Sequence, residues 1–455
     1  MEKKTIYIGI EIKARELLSK IILSYFAIKN NYRIIIGSKE HVIKYILNKK
    51  NKGGIFLYKG DLHKNIIRPI VEKLNYHVIL DQEIIPGATS EYYKKNIRYR
   101  FYPENLKYID LYLAASKQIE SITKRSIRSL QKKVVFTGLP TFDLVNSNFY
   151  NIHKEKILEI KKKYGKFLLL NSNFSSINEY SKILEYTPWG MRKGEIKNHI
   201  YKSNKLANSV LHEFNNACNF IKDISKKIKM NIIIRPHPSE NLETWNNIFN
   251  NCPNIKIIPP HDSVIPWIYS CEKFLHRGCS TAYFAYLIGK PIGFLKLNNK
   301  EIIVDRIATI KVSSIINNFI DLNKWLKLNK SRKKINKNKM YKFLGINKKK
   351  SSSESIIILF NKLKITKENI ENIKNKLQYF NFFLHYYFIF THFLIKNTVV
   401  FLVKNNLLKK NINKYYRTPK LGDGIKEDEI KYFLNKLNIK KFTVKKISYN
   451  LISIQ

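Results

Sequence analysis

The sequence is short of acidic residues and of cysteine. It has 34 Asp and Glu against 83 Lys and Arg, and four cysteines in 455 residues. The cysteines show no CxxC spacing and no histidine at a metal-ligand interval, so we expect reduced structural thiols and no metal site. No long apolar signal region precedes the first strand-like run at residues 6–10, which predicts a cytoplasmic protein.

Familiar nucleotide and metal motifs are also missing. Only Gly9 stands near the first strand, where a dinucleotide-binding domain has GxGxxG, and neither a P-loop nor HExxH occurs. We therefore expect no NAD, FAD or other cofactor. The acidic run at residues 427–429 is typical of a solvated helix start, not of a metal site.

The formal net charge of +49 invites a nucleic-acid or anionic-membrane partner. However, Lys, Asn, Ile, Tyr and Phe are abundant together, as in proteins from A/T-biased genes, and the lysines are scattered along the chain. Dense basic patches occur near residues 333–350 and 409–414. Because no recognition motif accompanies the charge, we expect no nucleic-acid partner.

Short apolar runs alternate with helical patterns in two series. The first has runs at residues 6–10, 33–36, 54–57, 77–80, 111–115 and 134–136, and the second at residues 167–170, 231–234, 255–258, 273–275 and 292–295. This rhythm is typical of repeated βα units with a parallel sheet. We predict an α/β protein with one Rossmann-like domain at residues 1–150, a second at 151–330, and a basic linker with a helical C-terminal extension at 331–455.

The stretch from Tyr379 to Ile395 is the most aromatic part of the chain. Wound as a helix, it has a narrow polar stripe that includes His385 and His392, and its other faces are apolar. Such a helix suits a membrane interface, a buried position between domains or, at the short limit, a membrane span. The sequence leaves these three interpretations open.

The most informative motif follows the apolar run at residues 231–234. Arg235, Pro236, His237 and Pro238 would stand at the carboxyl end of a parallel strand, where ligands of open α/β sheets collect. The two prolines hold the imidazole of His237 rigidly and Arg235 adds a permanent cation, so the loop predicts a phosphate site. A structural turn in which His237 caps backbone groups is the alternative.

A second loop, about one βα unit later, carries Ser280 and Thr281 before an apolar helix. Either hydroxyl can cap that helix, and its unpaired amides with the positive end of the helix dipole can bind an anion. Capping alone is the alternative. A position beside His237 favours the anion site.

Acidic residues follow two strands of the first domain. Asp81 and Glu83 come directly after the run at residues 77–80, and either can act as general base for an acceptor hydroxyl, with Asp81 favoured. An ordinary solvated turn is the alternative. Glu11 and Arg15 follow the first strand and are expected to line the cleft on the acceptor side, or else to form a salt-bridged helix start.

With these residues placed, the chain resembles the bacterial surface carbohydrate biosynthesis proteins. These are similar to glycosyltransferases with two Rossmann-like domains facing across a cleft, the GT-B type. The His-Pro pair and the Ser-Thr helix start also occur in enzymes resembling bacterial sialyl- and Kdo-transferases. The matching segments are residues 10–16, 80–83, 134–140 with Phe142 and Asp143, 235–238, 279–281 and 289–291.

The resemblance implies a metal-independent glycosyltransferase of capsule or lipopolysaccharide (LPS) biosynthesis. It would transfer a sugar from a nucleotide donor, a CMP-sugar, to a glycan or lipid-linked acceptor at the inner face of the cytoplasmic membrane. His237, Ser280 and Thr281 would bind the nucleotide phosphate, and an acidic motif, altered here by Gln82, would supply the base. A CDP-glycerol-type glycerophosphotransferase, a sugar-nucleotide 2-epimerase and a non-catalytic binding protein stay open.

Overall fold

The structure is a computed structural model that describes residues 4–48, 53–82, 97–175, 178, 204–238, 240–297, 307–328, 337–347, 349–363, 421, 424–439 and 441–455. Glu83, Ser239 and the stretch from Tyr379 to Ile395 lie outside the described residues. No helix in these ranges is both long enough and apolar enough to cross a membrane.

Strands and helices alternate through most of the chain. The strands are β1 Thr5–Ile10, β2 Arg33–Ser38, β3 Ile55–Tyr58, β4 Tyr76–Leu80, β5 Leu111–Ala114, β6 Val134–Phe136, β7 Phe167–Asn171, β8 Asn231–Arg235, β9 Ile255–Ile257, β10 Lys273–His276, β11 Ile292–Leu295, β12 Ser314–Ile316, β13 Val444–Ser448 and β14 Leu451–Ile454. The helices are α1 Lys13–Lys29, α2 Lys39–Asn48, α3 Lys64–Val71, α4 Lys117–Ser126, α5 Pro140–Asp143, α6 Asn151–Tyr164, α7 Asn204–Lys227, α8 Leu242–Phe249, α9 Ile265–Ser270, α10 Ala282–Ile288, α11 Ile307–Lys311, α12 Phe319–Leu326, α13 Lys337–Leu344, α14 Ser352–Asn361 and α15 Glu427–Lys436.

The first sheet has the spatial order β13-β14-β2-β1-β3-β4-β5-β6 among the described strands. Within the series β2-β1-β3-β4-β5-β6, each strand is parallel to the next. Their β-branched and aromatic residues are mostly buried, as expected of a parallel sheet covered on both faces. The βα rhythm predicted for the first half of the chain is therefore confirmed.

The second sheet has the order β12-β11-β10-β7-β8-β9 in the described part of the chain, and all of its pairs are parallel. Strands β8 and β9 add on one side of β7, whereas β10, β11 and β12 add on the other. The strand order thus reverses between β7 and β10. In open α/β sheets the ligand crevice lies at such a switch point, beyond the carboxyl ends of the strands.

The two units pack directly on each other. One apolar cluster includes Ile8 of the first sheet and Leu169 of the second. The rings of Phe142 in α5 and Phe284 in α10 lie 5.4 Å apart between centroids. The protein is therefore α/β with two Rossmann-like units facing each other, the arrangement of the GT-B type.

The C-terminal part of the chain returns to the first unit. Helix α14 packs against α1 and α5, and β14 pairs antiparallel with β2. Gly37 permits this pairing, because a Cβ there would overlap the carbonyl oxygen of Asn450 and lie 2.9 Å from Cδ1 of Leu451. The sequence predicted a helical extension; helices α13, α14 and α15 are present, but the hairpin was missed because its strands are short and β13 is mostly exposed.

Candidate functional site

The carboxyl ends of three neighbouring strands form the centre of the candidate site. Asn171 ends β7 and is paired in register with Arg235 of β8 on one side and with His276 of β10 on the other. These three polar residues form one row across the sheet at the switch point. The loops that carry His237 and Ser280 begin directly after two of them.

The loop of His237 is held by a buried carboxylate. The backbone N–H of His237 donates to Ser172 Oγ (3.1 Å), and Ser172 Oγ donates to Glu240 (2.9 Å). Glu240 also accepts from the backbone N–H of Phe174 and from Nε1 of Trp245, both at 2.8 Å. These hydrogen bonds hold the turn on which His237 stands.

Glu240 is a residue that the sequence analysis missed. Its side chain is buried, and this burial raises its pKa from 4.5 to about 7, against the lowering effect of the hydrogen bonds from Phe174, Ser172 and Trp245. The available signal was an acidic residue directly behind the loop in a chain poor in acids. Glu240 cannot reach a ligand, and it acts by shaping the turn.

The guanidinium of Arg235, predicted to bind phosphate, is instead bonded within the protein. Its guanidinium is 3% exposed and forms an ion pair of 2.8 Å with Asp262. It also donates to the carbonyl of Ser263 (3.3 Å) and lies 5.1 Å from the ring of Trp267. A guanidinium committed in this way anchors the loop after β9, so the geometry does not support Arg235 as a phosphate ligand. Pro238 is half-buried in the turn.

A neutral histidine shapes the loop that carries Ser280 and Thr281. His276 is fully buried, and burial lowers its pKa to about 3. Its Nδ1 accepts from the backbone N–H of Cys279 (3.2 Å), and its Nε2 donates to Ser313 Oγ (2.9 Å). Gly278, with φ of 63°, lets the chain turn at this point.

Ser280 and Thr281 are both partly exposed. Thr281 occupies the residue before α10, but its side chain makes no capping hydrogen bond. Instead, Thr281 Oγ1 accepts from Nδ2 of Asn171 (3.0 Å). The expected hydroxyl cap is therefore absent at Thr281, and the hydroxyl joins the loop to the end of β7.

Arg277 and Glu213 form a buried ion pair beneath the same loop. Two guanidinium nitrogens of Arg277 donate to the two carboxylate oxygens of Glu213, at 2.5 and 2.6 Å. Both side chains are buried. No sequence motif indicates this pair, because Glu213 belongs to α7, far from the strand-end motifs along the chain.

The first unit contributes Arg15 to the site. Its Nη2 lies 2.5 Å from Nε2 of His237 in the second unit. Arginine is always protonated, so Nε2 accepts this hydrogen bond and the ring proton sits on Nδ1. Two groups predicted from the sequence, one in α1 of the first unit and one in the loop after β8 of the second, thus meet across the interface.

Glu11 lies in the loop between β1 and α1, four residues before Arg15. Its carboxylate is half-buried and accepts from the hydroxyl of Tyr58 (3.2 Å), with Lys59 Nζ at 3.0 Å. Glu16, which is buried, accepts from the backbone N–H of Ile12 (3.0 Å). A carboxylate of the chain thus lies at the N-terminus of α1, where a dinucleotide fold binds pyrophosphate.

Asp81 lies beneath the surface of the first unit. It is 2% exposed and accepts two hydrogen bonds of 2.6 Å from Arg100 and one of 3.1 Å from the hydroxyl of Tyr112. A carboxylate that is 2% exposed and bonded on both oxygens is not accessible to an acceptor hydroxyl. The geometry favours a structural role for Asp81, in place of the expected general base, and Glu83 lies outside the described residues.

Within the described ranges, no three His, Cys, Asp or Glu side chains come together in a way that could hold a metal ion. The four cysteines are free thiols.

No protein-family model matches the sequence, and no curated protein matches it significantly. Matching solved structures include a UDP-GlcNAc 2-epimerase from Methanocaldococcus jannaschii, the wall teichoic acid polymerase TagF, and MnaA of S. aureus with UDP. They are 15%, 13% and 13% identical to the chain, cover 79% of it, and match over 99%, 89% and 95% of their own lengths. Their TM-scores are 0.46, 0.42 and 0.44. Likeness at this level gives no information on substrate or mechanism.

Proposed function

We propose that the protein is a glycosyltransferase that moves a sugar from a nucleotide donor, a CMP-sugar, to a glycan or lipid-linked acceptor of a bacterial surface polysaccharide. The observation that carries this proposal is the meeting of Arg15 and His237 across the two units, 2.5 Å apart. A guanidinium and an imidazole thus stand side by side at the interface, and a phosphate that displaces the hydrogen bond between them can accept from both. The choice of CMP rests on the resemblance stated above.

The phosphate of the donor would bind to both residues and replace the hydrogen bond between them. Arg15 supplies a fixed positive charge and two parallel N–H donors, which match phosphate oxygens. His237 adds a ring N–H, and the partly exposed hydroxyl of Ser280 donates from the neighbouring loop, with Thr281 beside it. As the bond between the sugar and the phosphate breaks, these groups stabilise the charge that develops on the leaving nucleotide.

Glu11 is the described carboxylate best placed on the acceptor side. It lies half-buried at the carboxyl edge of the first sheet, four residues before Arg15, and Tyr58 and Lys59 fix its orientation. In the proposed step the acceptor oxygen bonds to the anomeric carbon, its proton passes to Glu11, and the nucleotide leaves with the electron pair of the broken C–O bond. The step uses no metal.

Ligand-induced thermal stabilisation tests the phosphate site. We expect CMP at saturating concentration to raise the unfolding midpoint of the wild type by about 2–4 °C. His237→Ala and Arg15→Ala should lose this shift. His212→Ala is the matched control, because His212 is an exposed histidine on α7; it should keep the shift.

Two results would reject the proposal: no response of the wild type to any nucleotide, or an equal response of His237→Ala. Stabilisation by CDP with turnover of CDP-glycerol would instead assign a glycerophosphotransferase. Interconversion of UDP-sugars without an acceptor would assign a 2-epimerase.

We also propose that the protein works at the inner face of the membrane, because its charge of +49 suits anionic lipid. Co-sedimentation with vesicles of anionic phospholipid should fall when the aromatic stretch from Tyr379 to Ile395 is deleted. Equal binding to neutral vesicles, or no binding, would reject this part.

A further inference from the structure

Asn171 stands at the centre of the candidate site and is the middle member of the polar row. It is the last residue of β7, next to the switch point of the second sheet. Its side chain is 6% exposed. Nothing in the roles proposed above uses it.

The two flanking residues of the row are engaged by the protein itself. Arg235 is paired with Asp262 and lies over the ring of Trp267, although its Nε has no hydrogen-bond partner in the described part of the chain. His276 uses both ring nitrogens, one with Cys279 and one with Ser313. These two residues therefore support the loops and leave the middle of the row to Asn171.

The amide of Asn171 has one unmet polar atom. Its Nδ2 donates to Thr281 Oγ1 (3.0 Å), and Thr281 Oγ1 directs its own hydrogen to Cys279 Sγ (3.0 Å). This chain of bonds fixes Nδ2 on the side of Thr281 and leaves Oδ1 on the other. Among the described residues, Oδ1 accepts no hydrogen bond, and an unmet buried acceptor is unfavourable.

The chemistry of Oδ1 determines what can satisfy it. A carbonyl oxygen accepts hydrogen bonds, so it repels an ionised phosphate oxygen and requires a ligand group that donates. The phosphate therefore belongs beside His237, Ser280 and Thr281, and a hydroxyl attached close to it belongs beside Asn171. The ribose satisfies this condition, because it stays on the second unit while the transferred sugar faces the acceptor.

We infer that Asn171 is a specificity-determining residue that accepts a hydrogen bond from a ribose hydroxyl of the bound nucleotide. This inference rests on the proposed function. A site that binds a hydroxyl through a buried acceptor discriminates against the ligand that lacks it, because the acceptor is then left unpaired. Asn171 thereby selects ribonucleotides over their deoxy counterparts.

Calorimetric titration with CMP, 2′-deoxy-CMP and 3′-deoxy-CMP tests the inference. The wild type should bind CMP about tenfold more tightly than one of the deoxy forms. Asn171→Ala should bind all three alike. Asn171→Asp keeps an acceptor oxygen and should keep the preference for CMP over the deoxy form, even though its added charge weakens binding of all three nucleotides. If the alanine variant fails to fold, the aspartate variant provides the test.

The possible failures are distinct. If the wild type binds CMP without preference, or if Asn171→Ala retains the full preference, the inference is wrong while the proposed function stands. If the wild type binds none of the three nucleotides, both the proposed function and the inference are rejected.

Discussion

The carboxylate of Asp143 joins two segments of the chain that are more than two hundred residues apart. It accepts hydrogen bonds from the backbone N–H groups of Ser352 (2.9 Å) and Ser353 (2.8 Å), at the start of α14. These are amides that an α-helix leaves unpaired at its N-terminus. Asp143 therefore anchors the returning C-terminal segment to the first unit.

Replacing Asp143 should loosen this anchor. Asp143→Ala leaves two buried N–H groups unpaired, and we expect the free energy of unfolding to fall by about 1–3 kcal/mol. Urea denaturation at neutral pH measures the loss. Asp428→Ala is the control, because Asp428 is exposed in the first turn of α15 and should cost less than about 1 kcal/mol. Equal losses in the two variants would contradict the anchoring role.

Glu240 predicts a pH dependence of stability. Burial raises its pKa in the folded protein from 4.5 to about 7, so the folded state binds more protons than the unfolded state between these values. Its contribution to stability is complete below the ordinary pKa and is lost as pH rises through about 7. Relative to Glu240→Gln, which cannot titrate, the wild type should lose up to about 1.4 kcal/mol per pH unit in this window.

The comparison of the two proteins in urea at several pH values isolates Glu240. Asp143, whose pKa is raised by burial to about 6, titrates in both and cancels. Parallel stability profiles for the wild type and Glu240→Gln would show that Glu240 keeps the same pKa on folding.

The buried pair of Arg277 and Glu213 should show strong coupling. Removing either partner leaves a charge buried without its counterion, and we expect Arg277→Met or Glu213→Leu alone to cost about 3–5 kcal/mol. The double variant restores an apolar contact and should be much closer to the wild type. A double-mutant cycle from urea midpoints measures the coupling. Additive losses would mean that the two side chains do not depend on each other.

Substitutions of Asp81 and Glu11 test which of the two carboxylates is the general base. Asp81→Asn removes one side of the paired bonds to Arg100 and should lower the free energy of unfolding by about 1–3 kcal/mol, with CMP affinity unchanged. Glu11→Gln should leave CMP affinity unchanged as well, but abolish transfer to the acceptor. The measurements are urea denaturation, calorimetry and product formation. Full stability of Asp81→Asn with loss of transfer would return the role of base to Asp81.

Local patterns in the sequence predicted β1 to β11, but not β12 or the C-terminal hairpin. Runs such as residues 231–234 are β-branched and end in a polar loop, and the structure has β8 at Asn231–Arg235. Because parallel strands are buried on both faces, each run is apolar throughout and can be read without knowing its neighbours. The C-terminal hairpin lacked this signal, since β13 is largely exposed and β14 is stabilised by pairing with β2, hundreds of residues away.

Partner choice could not be read from local patterns. Arg235 and Asp81 both follow strands, as a ligand-binding residue would, yet each is bonded to a residue of another loop, Asp262 in one case and Arg100 in the other. Glu240 and Glu213 gave no motif at all, and their roles depend on Ser172 and Arg277.

The sequence by itself determined the two parallel α/β units and the position of His237 at a strand end. The spacing of apolar residues along the chain and the fixed backbone angle of proline are local properties, so they can be recognised without the tertiary structure. Only the tertiary structure decided which polar strand-end residues remain available to a ligand. A buried charge must be paired, and the partner that pairs it is chosen by the packing of distant segments. That choice engages Arg235 and Asp81 and brings Arg15 to His237.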